Sequence, residues 1–113
     1  MQPIYNHKNM EILEILSREE RRMPKAFLYE ENGSWFAYEN SANLMRDLLK
    51  EDVHIKQIIN RTYEICLERA EIEFSYLAKC SILQCSDSEL IIDCSAVYLP
   101  EYKNSNCLDI LKN

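Results

Sequence analysis

Five cysteines, two histidines and a spaced set of glutamates are the side chains of this 113-residue chain whose types could do chemistry. A structural zinc site takes four ligands near tetrahedral geometry, usually from closely spaced Cys or His pairs. The nearest approach is Cys80 with Cys85, with four residues between them. On one strand these two positions have opposite parity and point to opposite faces, so a shared ion would need a bulge. A thiol nucleophile needs a depressed pKa from a nearby histidine, a cation or a helix N-terminus. His7 and His54 are the only histidines. No metal, cofactor or catalytic residue is therefore assigned. Cys80 facing Cys94 across two strands has two uses, a disulfide or a pair of small core thiols, and the second fits a reducing compartment better.

Glu64, Glu68 and Glu71 fall at helical spacing, and such a row binds a divalent cation, serves as acid and base, or is a solvated helix face. With no accompanying His or Asp to close a pocket, the solvated face is the simpler reading, and its use is contact with a partner. Aromatics Tyr29, Phe36, Tyr38 and Trp35 could stack on bases, but their neighbours are Glu30, Glu31 and Glu39. They read as core, with Trp35 partly exposed on the reverse side. Charge is uneven: residues 1–25 carry five basic and four acidic groups, the rest eight and fifteen, for a total of −6. Arg18, Arg21, Arg22 and Lys25 end the first helix as a basic cluster that the body's own carboxylates can meet.

Acidity argues against binding nucleic acid by counterion release. Gly33 is the one glycine, where average usage of about 7% would give about eight. Phosphate-cradling loops need several, so a P-loop, a dinucleotide fingerprint and a kinase-type loop are excluded. Residues 1–8 show no basic start followed by an apolar run, and no apolar stretch approaches the roughly 20 residues that span a bilayer. With an odd cysteine count, this favours free thiols in a cytoplasmic protein.

The elements that must position these residues follow from periodicity. A first helix is expected over 9–22, capped by Asn9, with Ile12, Leu13, Ile15 and Leu16 on one side and same-face pairs Glu14–Arg18 and Glu19–Arg22. Pro24 stops it. Ala26–Glu31 and Ser34–Glu39 flank Asn32-Gly33, the dipeptide suited to a type I′ turn. That turn sets Tyr29 opposite Phe36 and Leu28 opposite Ala37, with the aromatic face buried. Asn40 or Ser41 caps a helix carrying Leu44, Met45, Leu48 and Leu49. Asp52 opens a third helix, with Ile55, Ile58, Ile59, Tyr63, Cys66, Leu67 and Ala70 as its stripe. From Ile72 to Ile82 the period becomes two, with Leu77 as the interloper, and Leu90–Tyr98 forms the last strand up to Pro100. A three-residue loop at Ser86, Asp87 and Ser88 pairs Ile82 with Ile92 and Cys80 with Cys94.

The expectation is a single α+β domain over 1–113, with 1–8 and 101–113 as mobile ends; Cys107, Leu108, Ile110 and Leu111 offer the latter a docking turn. Its architecture is two-layer, an antiparallel sheet from two β-hairpins packed against two or three helices in the order α-ββ-α-α-ββ. The functional expectation is a non-enzymatic protein-binding module, an adaptor, regulator or inhibitor, making no direct nucleic-acid or membrane contact and capable of homodimerising through a strand edge. Trp35, Glu64, Glu68 and Glu71 are its expected partner-facing residues. The alternative is an acidic nucleic-acid-mimicking inhibitor of a nucleic-acid-binding enzyme, as a phage or mobile-element counter-defence protein would be. A thiol or carboxylate enzyme would need a deep pocket around His54 or a cysteine.

Overall fold

The computed structural model describes residues 11–50 and 53–98 of the chain. Its elements are α1 (Ile12–Glu19), β1 (Lys25–Glu31), β2 (Ser34–Tyr38), α2 (Glu39–Leu49), β3 (Ile55–Asn60), β4 (Ile65–Ile72), a 3₁₀ segment (Phe74–Lys79), β5 (Ile82–Cys85) and β6 (Glu89–Asp93). All six strands join one antiparallel sheet in the order β3-β4-β2-β1-β6-β5. The α+β class with helices packed on an antiparallel sheet is thus observed, and it is built from three hairpins.

The first hairpin forms where its turn chemistry dictates. Asn32 and Gly33 take φ values of +53° and +86°, the left-handed pair a type I′ turn requires. Tyr29 faces Phe36 and Leu28 faces Ala37, in the register that turn imposes. Side chains alternate across the sheet, and both sides are covered. On one, Ala26, Leu28, Ala37, Ala70, Leu90 and Ile92 pack with Ala42, Met45 and Leu49 of α2 and Leu77 of the 3₁₀ segment. Three of those strand positions are alanines, which lets α2 lie close to the sheet. On the other, Phe27, Tyr29, Tyr38 and Leu67 pack with Ile15 of α1. The aromatic side is therefore buried beneath α1, except that Phe36 is half-buried under the Arg69 guanidinium, 4.4 Å from its ring. The most completely buried side chains belong mainly to the α2 face, not to the aromatic one.

Several expectations are corrected. The helix α1 starts at Ile12 rather than 9, with Glu11 as N-cap; Asn9, Asp52, Pro100 and the tail with Cys107 lie outside the described residues. Arg18 pairs with Glu89 instead of Glu14, and Glu19 turns inward to Ser41. Helix α2 begins at Glu39 behind Tyr38, so Ser41 lies within its first turn.

The third helix does not exist: 55–72 is a hairpin. Its turn, 61–64, contains neither Gly nor Pro; Asn60 Oδ1 accepts the Tyr63 N–H at 3.0 Å and Glu64 takes φ +53°. Ile58, Ile65 and Leu67 serve the α1 face and Ile55, Ala70 and Ile72 the other, which hides the period of two. The long strand expected from Ile72 ends at once, and Phe74–Lys79 coil as the 3₁₀ segment with Leu77 buried and Phe74 71% exposed. Strand β6 stops at Asp93, whose carboxylate accepts the Ser95 N–H at 3.0 Å. The element order is therefore α-ββ-α-ββ-3₁₀-ββ.

Pairing of Ile82 with Ile92 holds, by a different route. Ser86 N–H donates to the Glu89 carbonyl at 2.9 Å, leaving only Asp87 and Ser88 at the tip, and pairs Cys85↔Leu90 and Gln84↔Ile91 follow. A bulge at Leu83 then shifts the register by one. The extra residue does what a longer loop was expected to do.

Candidate functional site

The expected partner-facing residues are dispersed. Trp35 is half-buried on the α2 face, packed against the core. Glu64 sits in the β3–β4 turn, while Glu68 and Glu71 are on β4 and, being three apart in a strand, point to opposite faces. Each lines a separate depression: Glu64 beside Ile59, Glu68 beside Glu39 and Asn43, Glu71 beside Phe36 and Arg69. The helical row of carboxylates is not a surface of this molecule. Glu68 is engaged locally, accepting from Asn43 Nδ2 at 2.9 Å.

The bulge has a second effect. By bringing Cys85 opposite Leu90 it returns that cysteine to the face Cys80 occupies, correcting the expectation of opposite faces. Among the described residues no group of three His, Cys, Asp or Glu side chains could hold a metal. His54 is exposed and precedes β3, in a depression of about 410 Å³ shared with Phe36, Lys56, Arg69, Glu71, Glu73 and Tyr76.

Among the described residues one polar cluster is buried, and periodicity gave no sign of it. Glu19 at the end of α1 accepts from both the backbone N–H and the hydroxyl of Ser41, each at 2.6 Å, and the Ser41 oxygen accepts the Phe27 N–H at 2.8 Å. Burial pushes the Glu19 carboxyl up to about 7, against the lowering effect of its Ser41 hydrogen bonds. Three elements are tied by it: α1, β1 and α2. Nearby, Arg18 stacks 4.6 Å over Phe27, and its guanidinium also meets Glu89 and the Tyr29 hydroxyl. Burial lowers the Arg18 pKa, but Glu89 and Tyr29 together raise it further. These groups fasten the helix to the sheet.

What remains open is the edge. Among the described residues the strand order leaves β3 and β5 each with one unpaired side. Strand β4 pairs with β2 only from Arg69 to Ile72, so among the described residues its first half, Ile65–Glu68, has β3 as its only strand neighbour. Under α1 this end of the β3–β4 hairpin is packed through Ile58, Ile65 and Leu67. On the α2 face it carries Ile59, 64% exposed, opposite the exposed Cys66. A depression of about 340 Å³ there is lined by Ile59, Arg61, Glu64, Ile65 and Cys66, and the exposed Tyr63 lies in the same turn. Strand β3 pairs without interruption over all six of its residues, so its free side presents a regular row of backbone donors and acceptors.

No family model, no curated protein and no solved structure matches this chain.

Proposed function

We propose that this chain is a non-enzymatic, cytoplasmic protein-binding module that adds an extended segment of a protein partner to the free edge of β3. The observation that carries the reading is Ile59, an aliphatic side chain 64% exposed on an unbulged edge strand, lining a depression that it shares with Ile65, Cys66, Arg61 and Glu64. In strand addition the main chain supplies affinity and alternate side chains supply specificity.

The chemistry of β3 favours one kind of partner segment. On the α2 face it offers Ile55 and Ile59; on the α1 face it offers Lys56, with Arg69 directly opposite on β4. Lys56 has no carboxylate partner among the described residues. The matching segment alternates apolar residues with acidic ones, its carboxylates facing Lys56 and its apolar side chains covering Ile59. Nucleic acid and membrane are not its targets, and a second copy of the chain is the competing occupant of the edge.

The test is a panel of short extended peptides, alternating valine with glutamate or with lysine, titrated into the labelled protein while backbone amide shifts are followed. Expected are shifts along 55–60 for the glutamate series, weaker binding of the lysine series, and at least a tenfold loss with Ile59→Lys, roughly 1.4 kcal/mol. Shifts centred on β5, or affinity indifferent to Ile59→Lys, would overturn the reading. The acidic-decoy alternative, with Glu64, Glu68 and Glu71 apart, rests on net charge alone.

A further inference from the structure

The β5–β6 ladder runs past the end of β5. Below the Ile82↔Ile92 pair, the Asp93 N–H donates to the Ser81 carbonyl at 2.9 Å, and Cys80, with extended φ −101° and ψ 158°, occupies the next position, opposite Cys94. The Cys94 N–H points the other way, to the Pro24 carbonyl at 2.9 Å. The register thus makes Cys80 and Cys94 a non-hydrogen-bonded antiparallel pair, a type whose Cα atoms typically stand about 4.5 Å apart, within the range of about 4.4–6.8 Å that a disulfide spans. Both side chains are on the α2 face: Cys94 is fully buried in the core there, and the half-buried Cys80 packs against that same cluster.

We propose that Cys80 and Cys94 form a redox modification site, reduced at rest and converted by a low-molecular-weight disulfide into a cross-strand disulfide. Cys80 is the entry point because Cys94 is inaccessible. The Cys80 thiolate attacks the disulfide of oxidised glutathione, forming a mixed disulfide and releasing one glutathione thiolate. The Cys94 thiolate then attacks the Cys80 sulfur, forming the internal bond and releasing the second. In sum, two protein thiols and one oxidised glutathione give one protein disulfide and two reduced glutathiones. Burial raises the thiol pKa of both, that of Cys94 to about 12, so the reaction is slow at neutral pH and faster in alkali. The product would close the whole β5–β6 hairpin into a covalent loop and anchor the start of β5.

Full-length protein equilibrated with oxidised glutathione, acid-quenched, unfolded and alkylated tests this by thiol titration and non-reducing peptide mapping. Expected is a fall from five free thiols to three under limiting oxidant, with a Cys80–Cys94 linked peptide that a thiol reductant dissolves. In Cys80→Ser the linked peptide disappears and Cys94 stays reduced; in a Cys66→Ser/Cys85→Ser double variant, at exposed positions, it persists. A glutathione adduct at Cys80 that never resolves, or a different cysteine pairing in the folded protein, would overturn the proposal.

Discussion

Strands β3 and β5 both end the sheet, but their free sides are built differently. β3 is six residues long and regular, with Lys56 as its second residue, whereas β5 is four residues long, carries no charge, and is broken by the bulge at Leu83. Exposed edges invite pairing with other chains, and a lysine on the edge strand or a bulge each discourages it. A lysine repels only partners without a compensating charge, so β3 keeps its backbone geometry and gains a selectivity filter. A bulge spoils the geometry itself, so β5 is closed to any partner. The support behind the two edges differs as well: α1 clamps the β3–β4 hairpin through Leu67 and Ile58, while β5 is exposed along its whole length.

The largest expected effect is on that clamp. Leu67 is buried between Ile58, its cross-strand partner, and the α1 cluster. Leu67→Ala should cost about 3 kcal/mol, transfer and cavity contributions together, whereas Ile82→Ala at the half-exposed β5 position should cost less than about 1.5. Urea unfolding of both variants checks the pair. Equal losses would show that β5 is as firmly held as β3.

The clamp should also respond to acid. Glu19 fastens α1 to Ser41, and its carboxyl titrates at about 7 when folded against the ordinary 4.5. A carboxyl raised in the folded state binds the extra proton there, so its contribution to stability is complete below about pH 4.5 and disappears as pH rises through about 7. The difference amounts to about 3 kcal/mol. Asp93 works in the opposite sense but lower, since the hydrogen bond from Ser95 holds it below its usual 3.8 and its effect lies under the Glu19 window. Urea midpoints should therefore rise from pH 8 to pH 5, and Glu19→Gln should flatten that dependence. A profile that stays steep in Glu19→Gln would place the titrating group elsewhere.

The two halves of the chain differed in how openly they declared themselves. Asn32-Gly33 names its turn because positive φ at two successive positions costs little for those residues, so β1, β2 and their register were readable. The β3–β4 turn relies on Glu64 in a left-handed conformation and an Asn60 side-chain hydrogen bond, neither of which composition announces. Because both faces of that hairpin are partly covered, its apolar residues also fit a helical stripe. Leu77 was the one visible warning: the residue that broke the supposed strand alternation is the buried residue of the 3₁₀ segment. For the site, the loss was larger. Glu64, Glu68 and Glu71 formed a row only on a helix, and the Glu19–Ser41 link depends on a fold that brings α1 and α2 into contact.

The smallest expected effect on stability is the sharpest test of how each edge is protected. Leu83 is 52% exposed and is the one residue of β5 with no opposite number, lying between Ile82↔Ile92 and Gln84↔Ile91. Deleting it leaves both of those pairs intact and makes them consecutive, each side chain still on its own face, so stability should change by less than about 1 kcal/mol. The strand then becomes regular, uncharged and open along its outer side. Light scattering after size exclusion should show concentration-dependent association of the deletion variant that the parent protein lacks at β5. Lys56→Val should produce the same behaviour on β3 by removing charge in place of geometry, and an acidic extended peptide should no longer be preferred there. If the deletion variant stays monomeric while Lys56→Val associates, the bulge is not what closes β5, and its short length must be.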